Sequence, residues 1–375
     1  MKKLEKTNKY LKKISLKKLM GGFLFISVTT TIVLTSGILA TAPLINAAGS
    51  SAVQPLMSSF SNKYPTADLV TQAGGSGAGI RAIIDGTKEI GMASKNPGII
   101  KSTAGEIPSE DEQKWIEREI KTVTIAWDGM GLVYKPSKPN TQIDVNLGTI
   151  LNIYTSFAGH EQKTYSDLGI ADDTTPIHPY ARSGGAVVSG TADAFYKDSK
   201  LAYEKNPELD DALIKGNYGK FTKTTSESNS QAWSFVKNEN KVGSMVYLSA
   251  GFINNNRKEI EDNGFEIATY ENHTIEKDNI AKTYNWFRPL NLMISIARTP
   301  GEDTIKDYHS QDLINWILGD PVAKKTITTE GYVELSQEDI LDKMCLNKDL
   351  STFWTATDKE IFDEKESLKP KANNG

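Results

Sequence analysis

The sequence predicts an α/β fold, and three observations carry that expectation. Strand-like and helix-like runs alternate from about residue 43 onward. Several of the strands end in a short turn of glycine and serine that opens a helix. The composition, 38% apolar and 24% charged over 375 residues, is that of a globular chain long enough for two domains or one bilobal body.

The elements follow in order. Leu44–Ala47 reads as a strand, and Gly49-Ser50-Ser51 turns it into a helix with Val53, Leu56, Met57 and Phe60 on one face. Asp68–Thr71 is a second strand, followed by a glycine-rich turn and a helix reaching about Thr87. Glu89–Ala93 is a third strand, ending at Ser94. Residues 108–119 read as a polar helix containing Trp115, and Lys121–Tyr134 as a long strand with β-branched alternation. Asn146–Thr155 is helical, Ile177–Tyr180 a strand, and Arg182–Gly185 a loop. Ser189-Gly190-Thr191 opens a helix through Ala192, Ala194 and Phe195. Ser228–Val236 is a helix and Val242–Leu248 a strand, whereas 203–224 is polar and 254–280 is charged and irregular. Trp286–Ala297 is a strand; Thr304–Trp316 and Gln337–Met344 are helical, and the tail after Lys365 is frayed.

The turn at Gly74-Gly75-Ser76-Gly77-Ala78-Gly79 matters most. A strand that turns through small residues into a helix aims free N–H groups, a hydroxyl and the positive end of a helix dipole at one point, which suits an anion. The alternative is a plain turn with Ser76 as an N-cap. Recurrence favours the anion: Gly49-Ser50-Ser51, Gly75-Ser76-Gly77, Ala93-Ser94 and Ser189-Gly190-Thr191 are all small, hydroxyl-bearing strand ends or helix starts. In open α/β sheets ligands sit beyond the carboxyl ends of strands.

Charge and cysteine usage exclude several classes. Residues 1–20 hold eight Lys and one Glu, and 21–42 hold no charge. Setting that local +7 against the net −4 leaves −11 on the remainder, which argues against nucleic acid as a partner. The single Cys345 rules out a disulfide framework, and the four His, at 160, 178, 273 and 309, have no metal-ligand spacing. No resident cofactor or metal is expected. Gly75–Ile80 lacks the last glycine of a dinucleotide fingerprint, and Gly79 is followed by Ile80-Arg81 rather than the Lys-Ser/Thr of a P-loop. Ser76 lacks the last glycine of a nucleophile elbow and has no evident His–acid partners, so no catalytic residue is assigned.

The N-terminus reads as a targeting segment. A basic stretch precedes an uncharged, mostly apolar run from Gly21 to about Ile45, long enough to span a bilayer, which puts the body outside the cytoplasm. Ala40-Thr41-Ala42 is the best small-residue cleavage site, but Pro43 follows it; Ala47-Ala48 is a later one. A retained anchor is the preferred of the two fates, and the absence of a nearby Cys excludes a lipid-modified terminus.

Taken together, these motifs resemble those of the extracytoplasmic phosphate-binding proteins of ABC phosphate importers, within the type II periplasmic-binding-protein fold. The likeness runs from about residue 44 to 300. It includes Gly49-Ser50-Ser51-Ala52-Val53-Gln54-Pro55-Leu56, Gly75-Ser76-Gly77 with Ile80 and Ile83-Ile84, and Glu89–Ser94. It continues with Arg182, Ser189-Gly190-Thr191, Asp193-Ala194-Phe195, Val242-Gly243, Val246–Ser249 and Arg288-Pro289-Leu290. The resemblance implies a two-lobed fold of mixed sheets flanked by helices, with the ligand in the cleft between lobes. After the terminal segment 1–42, the first lobe would take 43–126 and 284–375, and the second 127–283.

The resemblance also implies roles. Ser51 and Ala52, Ser76 and Gly77, and Ser94 would bind phosphate from the first lobe. Arg182, Ser189, Gly190 and Thr191 would bind it from the second, with Arg182 bidentate to two oxygens. The implied protein is a monomeric solute receptor, not an enzyme. It would capture inorganic phosphate and deliver it to the membrane permease of an ABC importer. Two departures stand out. Ser94 occupies a place where the family often has an Asp that accepts the proton of hydrogen phosphate. The loop from Arg182 to Ser189 is three residues longer than usual. Another tetrahedral oxyanion, such as sulfate, molybdate or tungstate, and a degenerate role as adhesin or scaffold, are the alternatives.

Overall fold

A computed structural model of the chain describes residues 43–97, 109–154, 161–194, 214–226, 228–280, 282–296 and 304–337. The N-terminal segment, Phe195, residues 338–344, the tail and residues 203–213 lie outside the described residues. Residues 42 to 375 group as one compact unit.

The first third alternates as the sequence predicts. β1 (Leu44–Gly49), α1 (Gln54–Ser61), β2 (Asp68–Ala73), α2 (Ser76–Ile84) and β3 (Ile90–Ala93) follow one another, then α3 (Glu110–Glu117) and the long β4 (Ile120–Tyr134). Next come β5 (Asp144–Val145), α4 (Leu147–Tyr154), β6 (His178–Arg182), the short α5 (Gly185–Val188) and α6, described over 190–194. β7 (Lys223–Thr225), α7 (Asn229–Glu239), β8 (Ser244–Ser249) and α8 (Ala250–Asp262) follow. β9 (Glu266–Ile267), β10 (Thr269–Tyr270), β11 (Phe287–Ser295), α9 (Thr304–Gly319) and α10 (Pro321–Thr329) come last, and a 3-10 turn at Tyr165–Leu168 precedes β6.

One curled, mixed sheet runs β2-β1-β3-β11-β4-β8-β6-β7, with β9 beside β4. β1 pairs parallel with β2 and β3, and β6 pairs parallel with β8 and β7. Two antiparallel strands join these parallel sets. β4 pairs with β11 over Ile120–Gly129 and then with β8 over Met130–Tyr134, so a single strand serves both sides. β11 carries a bulge between Leu290 and Asn291, an irregularity that bends a strand.

The apolar side chains segregate accordingly. One core gathers Ile45, Leu56, Phe60, Met92, Ile125, Leu290, Leu292 and Ile317. A second gathers Leu132, Tyr154, Tyr180, Trp233, Tyr247, Phe265 and Trp286. Ala126 belongs to the first core and Met130, four residues on, to the second. The chain is thus a two-lobed α/β fold in which β4 and β11 run from one core to the other.

Three stretches differ from the sequence expectation. The irregular 254–280 segment is mostly ordered: α8 occupies Ala250–Asp262, and two short strands follow. Three consecutive asparagines, Asn254–Asn256, hide the helix, while its buried stripe of Ala250, Gly251, Ile253 and Ile260 holds it down. The loop expected after Arg182 contains the one-turn α5, and β6 extends to Arg182 itself. α10 was not anticipated, although Asp320 accepts from Val322 N at 2.7 Å as its N-cap and Pro321 opens it.

Candidate oxyanion site

All three strands of the first parallel set end at one place. β1 leads to Ser50, β2 leads through Gly75 to Ser76, and β3 leads to Ser94. Ser50 Oγ donates to Ser94 Oγ at 3.0 Å, Ser76 Oγ and Ser94 Oγ lie 3.3 Å apart, and Ser94 N donates to Ser76 Oγ at 3.0 Å. All three residues are buried. Ser76 is not an N-cap: the cap is Gly75, which makes no side-chain bond, and the hydroxyl of Ser76 turns sideways to β3 instead. The plain-turn alternative therefore does not describe this stretch.

The Ser-Gly-Thr turn meets the same place from the other side. A Cβ on Gly190 would stand 2.1 Å from Ser94 Oγ and 2.3 Å from Ser76 Oγ, so only glycine allows this approach. Ser189 Oγ accepts from Ala192 N at 3.1 Å and caps α6. Gly77, in the first turn of α2, packs against the carbonyl of Val187. The structure thus brings together Ser76, Gly77, Ser94, Ser189 and Gly190, with two helix N-termini facing across the contact.

From the first turn, Ser50 is the residue whose hydroxyl bonds Ser94. Its Oγ also accepts from Ala52 N at 3.2 Å. Ser51 faces a cavity of about 230 Å³ whose walls include Gln54, Ser228, Asn229, Asn255, Glu330 and Tyr332. The doubled serine in Gly49-Ser50-Ser51 cannot tell the two apart by residue type; the end of β1 decides, because Ser50 N bonds Met92 O at 2.9 Å and stays in the sheet.

Two guanidinium groups are buried at the strand ends. Arg182 is held by its own side: Nη1 donates to Ser226 O and Ser228 O, each at 3.2 Å, and Nη2 to Asn229 Oδ1 at 2.6 Å and Tyr247 O at 3.2 Å. Arg288, on β11, is the guanidinium joined to the Ser-Gly-Thr turn, because its Nη1 donates to Thr191 Oγ1 at 2.7 Å. In the sequence Arg288-Pro289 belongs to a pattern that assigns it no role. Its Nε and Nη2 donate to Asp128 Oδ2 at 3.0 and 2.9 Å, and Asp128 Oδ1 accepts from Ser249 Oγ at 2.8 Å. With Arg288 as donor to Thr191 Oγ1, the hydroxyl proton of Thr191 is left to point elsewhere. Nearby, burial and then Asp128 raise the Tyr332 phenol well above its ordinary value of 10, so it stays neutral and donates to Ala52 O at 2.9 Å.

The arrangement is a set of hydroxyls and backbone N–H groups at helix starts, with two guanidinium groups behind. Such donors suit a small oxyanion. Among the described residues no group of three or more His, Cys, Asp or Glu could hold a metal ion.

Known proteins share the sequence and the fold. A family model described as a PBP superfamily domain matches residues 34–310. An uncharacterized lipoprotein of Mycoplasma genitalium is 36% identical over 350 aligned positions, covering 83% of this chain and 89% of that protein. Among solved structures, an ABC-type phosphate transport receptor from Vibrio cholerae superposes with a TM-score of 0.50 at 19% identity, covering 78% of this chain and 100% of that one. A phosphate-binding protein from Stenotrophomonas maltophilia gives 0.55 at 11% identity, with coverage of 80% and 92%. The high-affinity periplasmic phosphate-binding protein PfluDING, solved with phosphate, gives 0.61 at 14% identity, with coverage of 84% and 94%. A family match over most of the chain, a curated relative at this identity and the two-lobed fold agree: the chain belongs to the PBP superfamily, with a type II periplasmic-binding-protein-like fold.

Proposed function

We propose that this protein captures a tetrahedral oxyanion, inorganic phosphate foremost, between its two lobes and presents it to the permease of an ABC importer. One observation carries the reading. Three parallel strands deliver Ser50, Ser76 and Ser94 to one point, and Gly190 closes on that point from the other lobe. The phosphate-binding solved structures share this fold, which supports the choice of ligand.

The geometry supports a role for each residue. Ser76 and Ser94 donate from the first lobe, with Gly77 offering a backbone N–H group at the start of α2, while the Ala52 N–H is held by Ser50 Oγ. Gly190 and Thr191 donate from the second, and Arg288 aims the Thr191 proton. Arg182 adds positive charge behind them. Ser51 serves the neighbouring cavity, and Ser189 acts mainly by capping α6. The lobes, divided as 43–126 with 284–375 and 127–283, close by bending where β4 and β11 cross between the cores. Closure around the anion shifts an open–closed equilibrium, and the closed form is what a permease recognises. No bond is made or broken.

The protein works as a monomer on the outer face of the cell membrane, held by the apolar segment before residue 43 or released when that segment is cut. The relative's name says lipoprotein, but Cys345 is the only cysteine here, so the anchor is the apolar segment rather than a lipid on an N-terminal cysteine. Mass measurement of the mature N-terminus separates retention from cleavage.

A second ligand is favoured by Ser94. Its Oγ already accepts from Ser50 and carries no charge, so it is a weaker acceptor for hydrogen phosphate's proton than a carboxylate would be. Sulfate then fits as well. Equilibrium dialysis with labelled phosphate and, separately, with labelled sulfate tests both. Retention of phosphate alone supports the first reading; retention of sulfate alone overturns it in favour of the second.

A further inference from the structure

The loop between Arg182 and Ser189 is the one motif that the proposed function leaves unused, and it is built as a contact between the lobes. Gly184 and Gly185 are both left-handed, with φ of 74° and 58°, and turn the chain sharply from β6 into α5. α5 lies against the start of α2, where side chains are missing: a Cβ on Gly75 would stand 2.9 Å from Val188 O, and one on Gly77 2.8 Å from Val187 O. Lys95, the residue after Ser94, reaches across from the first lobe. Its Nζ donates to Ala186 O at 2.6 Å and to Val187 O at 3.1 Å, carbonyls of the one-turn α5, where a cation is favoured. The lysine is fixed from behind, because Asn291 Nδ2 donates to Lys95 O at 3.0 Å and Thr124 Oγ1 holds Asn291 Oδ1 at 2.8 Å. Val187 and Val188 face solvent, so α5 is not held in place by burying them.

We infer that Lys95 and α5 form a latch that holds the lobes closed over the oxyanion site and thereby sets how long the anion is retained. Lys95 is a positioning residue: it adjoins Ser94 in the chain, its partners adjoin Ser189, and it acts through α5 rather than on the anion. The two lobes meet at this latch only in the closed arrangement, so its bonds add to the closed state alone. Closed-state bonds slow release and leave capture by the open form nearly untouched. This inference rests on the closing motion proposed above, but not on the identity of the anion.

The test uses the full chain and two readouts. Stopped-flow release of inorganic phosphate from Lys95→Met is expected to be faster by about tenfold, the equivalent of ~1.4 kcal/mol and within the worth of a charge-assisted hydrogen bond. The association rate should change little, and Lys95→Arg, which keeps a cationic donor, should restore slow release. Small-angle scattering of the ligand-free protein is expected to show Lys95→Met as more expanded than wild type, whatever the ligand proves to be. A release rate within twofold of wild type, or an unchanged radius of gyration where phosphate does not bind at all, would overturn the latch. The second result would leave the phosphate reading to fail on its own evidence.

Discussion

At the residue scale, Ser76 does the most. Its Oγ accepts from Ser94 N and lies beside Ser94 Oγ, so Ser76→Ala leaves a buried N–H without that acceptor. The expected loss is about 1–3 kcal/mol of stability, read from chemical denaturation, with weaker anion binding alongside. Much of this residue's environment was legible, because a hydroxyl at a glycine-rich strand-to-helix turn has few other uses. The choice of Ser50 over Ser51 was not, since sheet register decides it. Nor was the linkage of Arg288 to Thr191, which joins residues nearly a hundred positions apart. His178 supplies a separate prediction. Burial first, and then the charges of Lys241 and Lys223, lower its pKa below the ordinary 6.5, against a smaller opposing pull from Glu239. On acidification the unfolded chain therefore takes up this proton before the folded one does. The stability it contributes is full above about pH 6.5 and drains as the pH falls through the lowered folded value. The denaturation midpoint should drop between about pH 7.5 and 5.5, and less so in His178→Gln; an identical drop in both would remove His178 from the account.

At the scale of elements, the crossing pair β4 and β11 carries both mechanics and charge. Asp128 on β4 and Arg288 on β11 are 0% and 2% exposed at the side chain and 2.9 Å apart, so neither can be neutralised by water if the other is lost. Asp128→Asn strands a buried guanidinium and should destabilise the fold by about 3–5 kcal/mol, measured by urea unfolding. It should also loosen Thr191, which Arg288 holds. The long β4 was legible from its alternating β-branched residues; that it serves two cores was not, because periodicity reports burial without saying against what. α8 was missed for the opposite reason. Its asparagines argue locally against a helix, and only packing against β4 and β8 overrides them. α10 carried a readable cap in Asp320-Pro321, and its β-branched residues concealed it.

At the scale of the molecule, the alternation of elements predicts an α/β body, and the fold class holds. What sequence could not supply is the close approach itself, in which glycines at 75, 77 and 190 let the 187–190 turn pack against the start of α2 and the end of β3. That geometry makes Gly190→Ala a sharp probe. The added methyl meets two serine hydroxyls and no backbone, so the fold should survive while closure is propped open. Calorimetric titration of the full chain with inorganic phosphate tests the central claim most directly. The account predicts saturable one-to-one binding in the wild type that is lost in Gly190→Ala at unchanged melting temperature. No binding heat in the wild type, or equal affinity in both proteins, would contradict it.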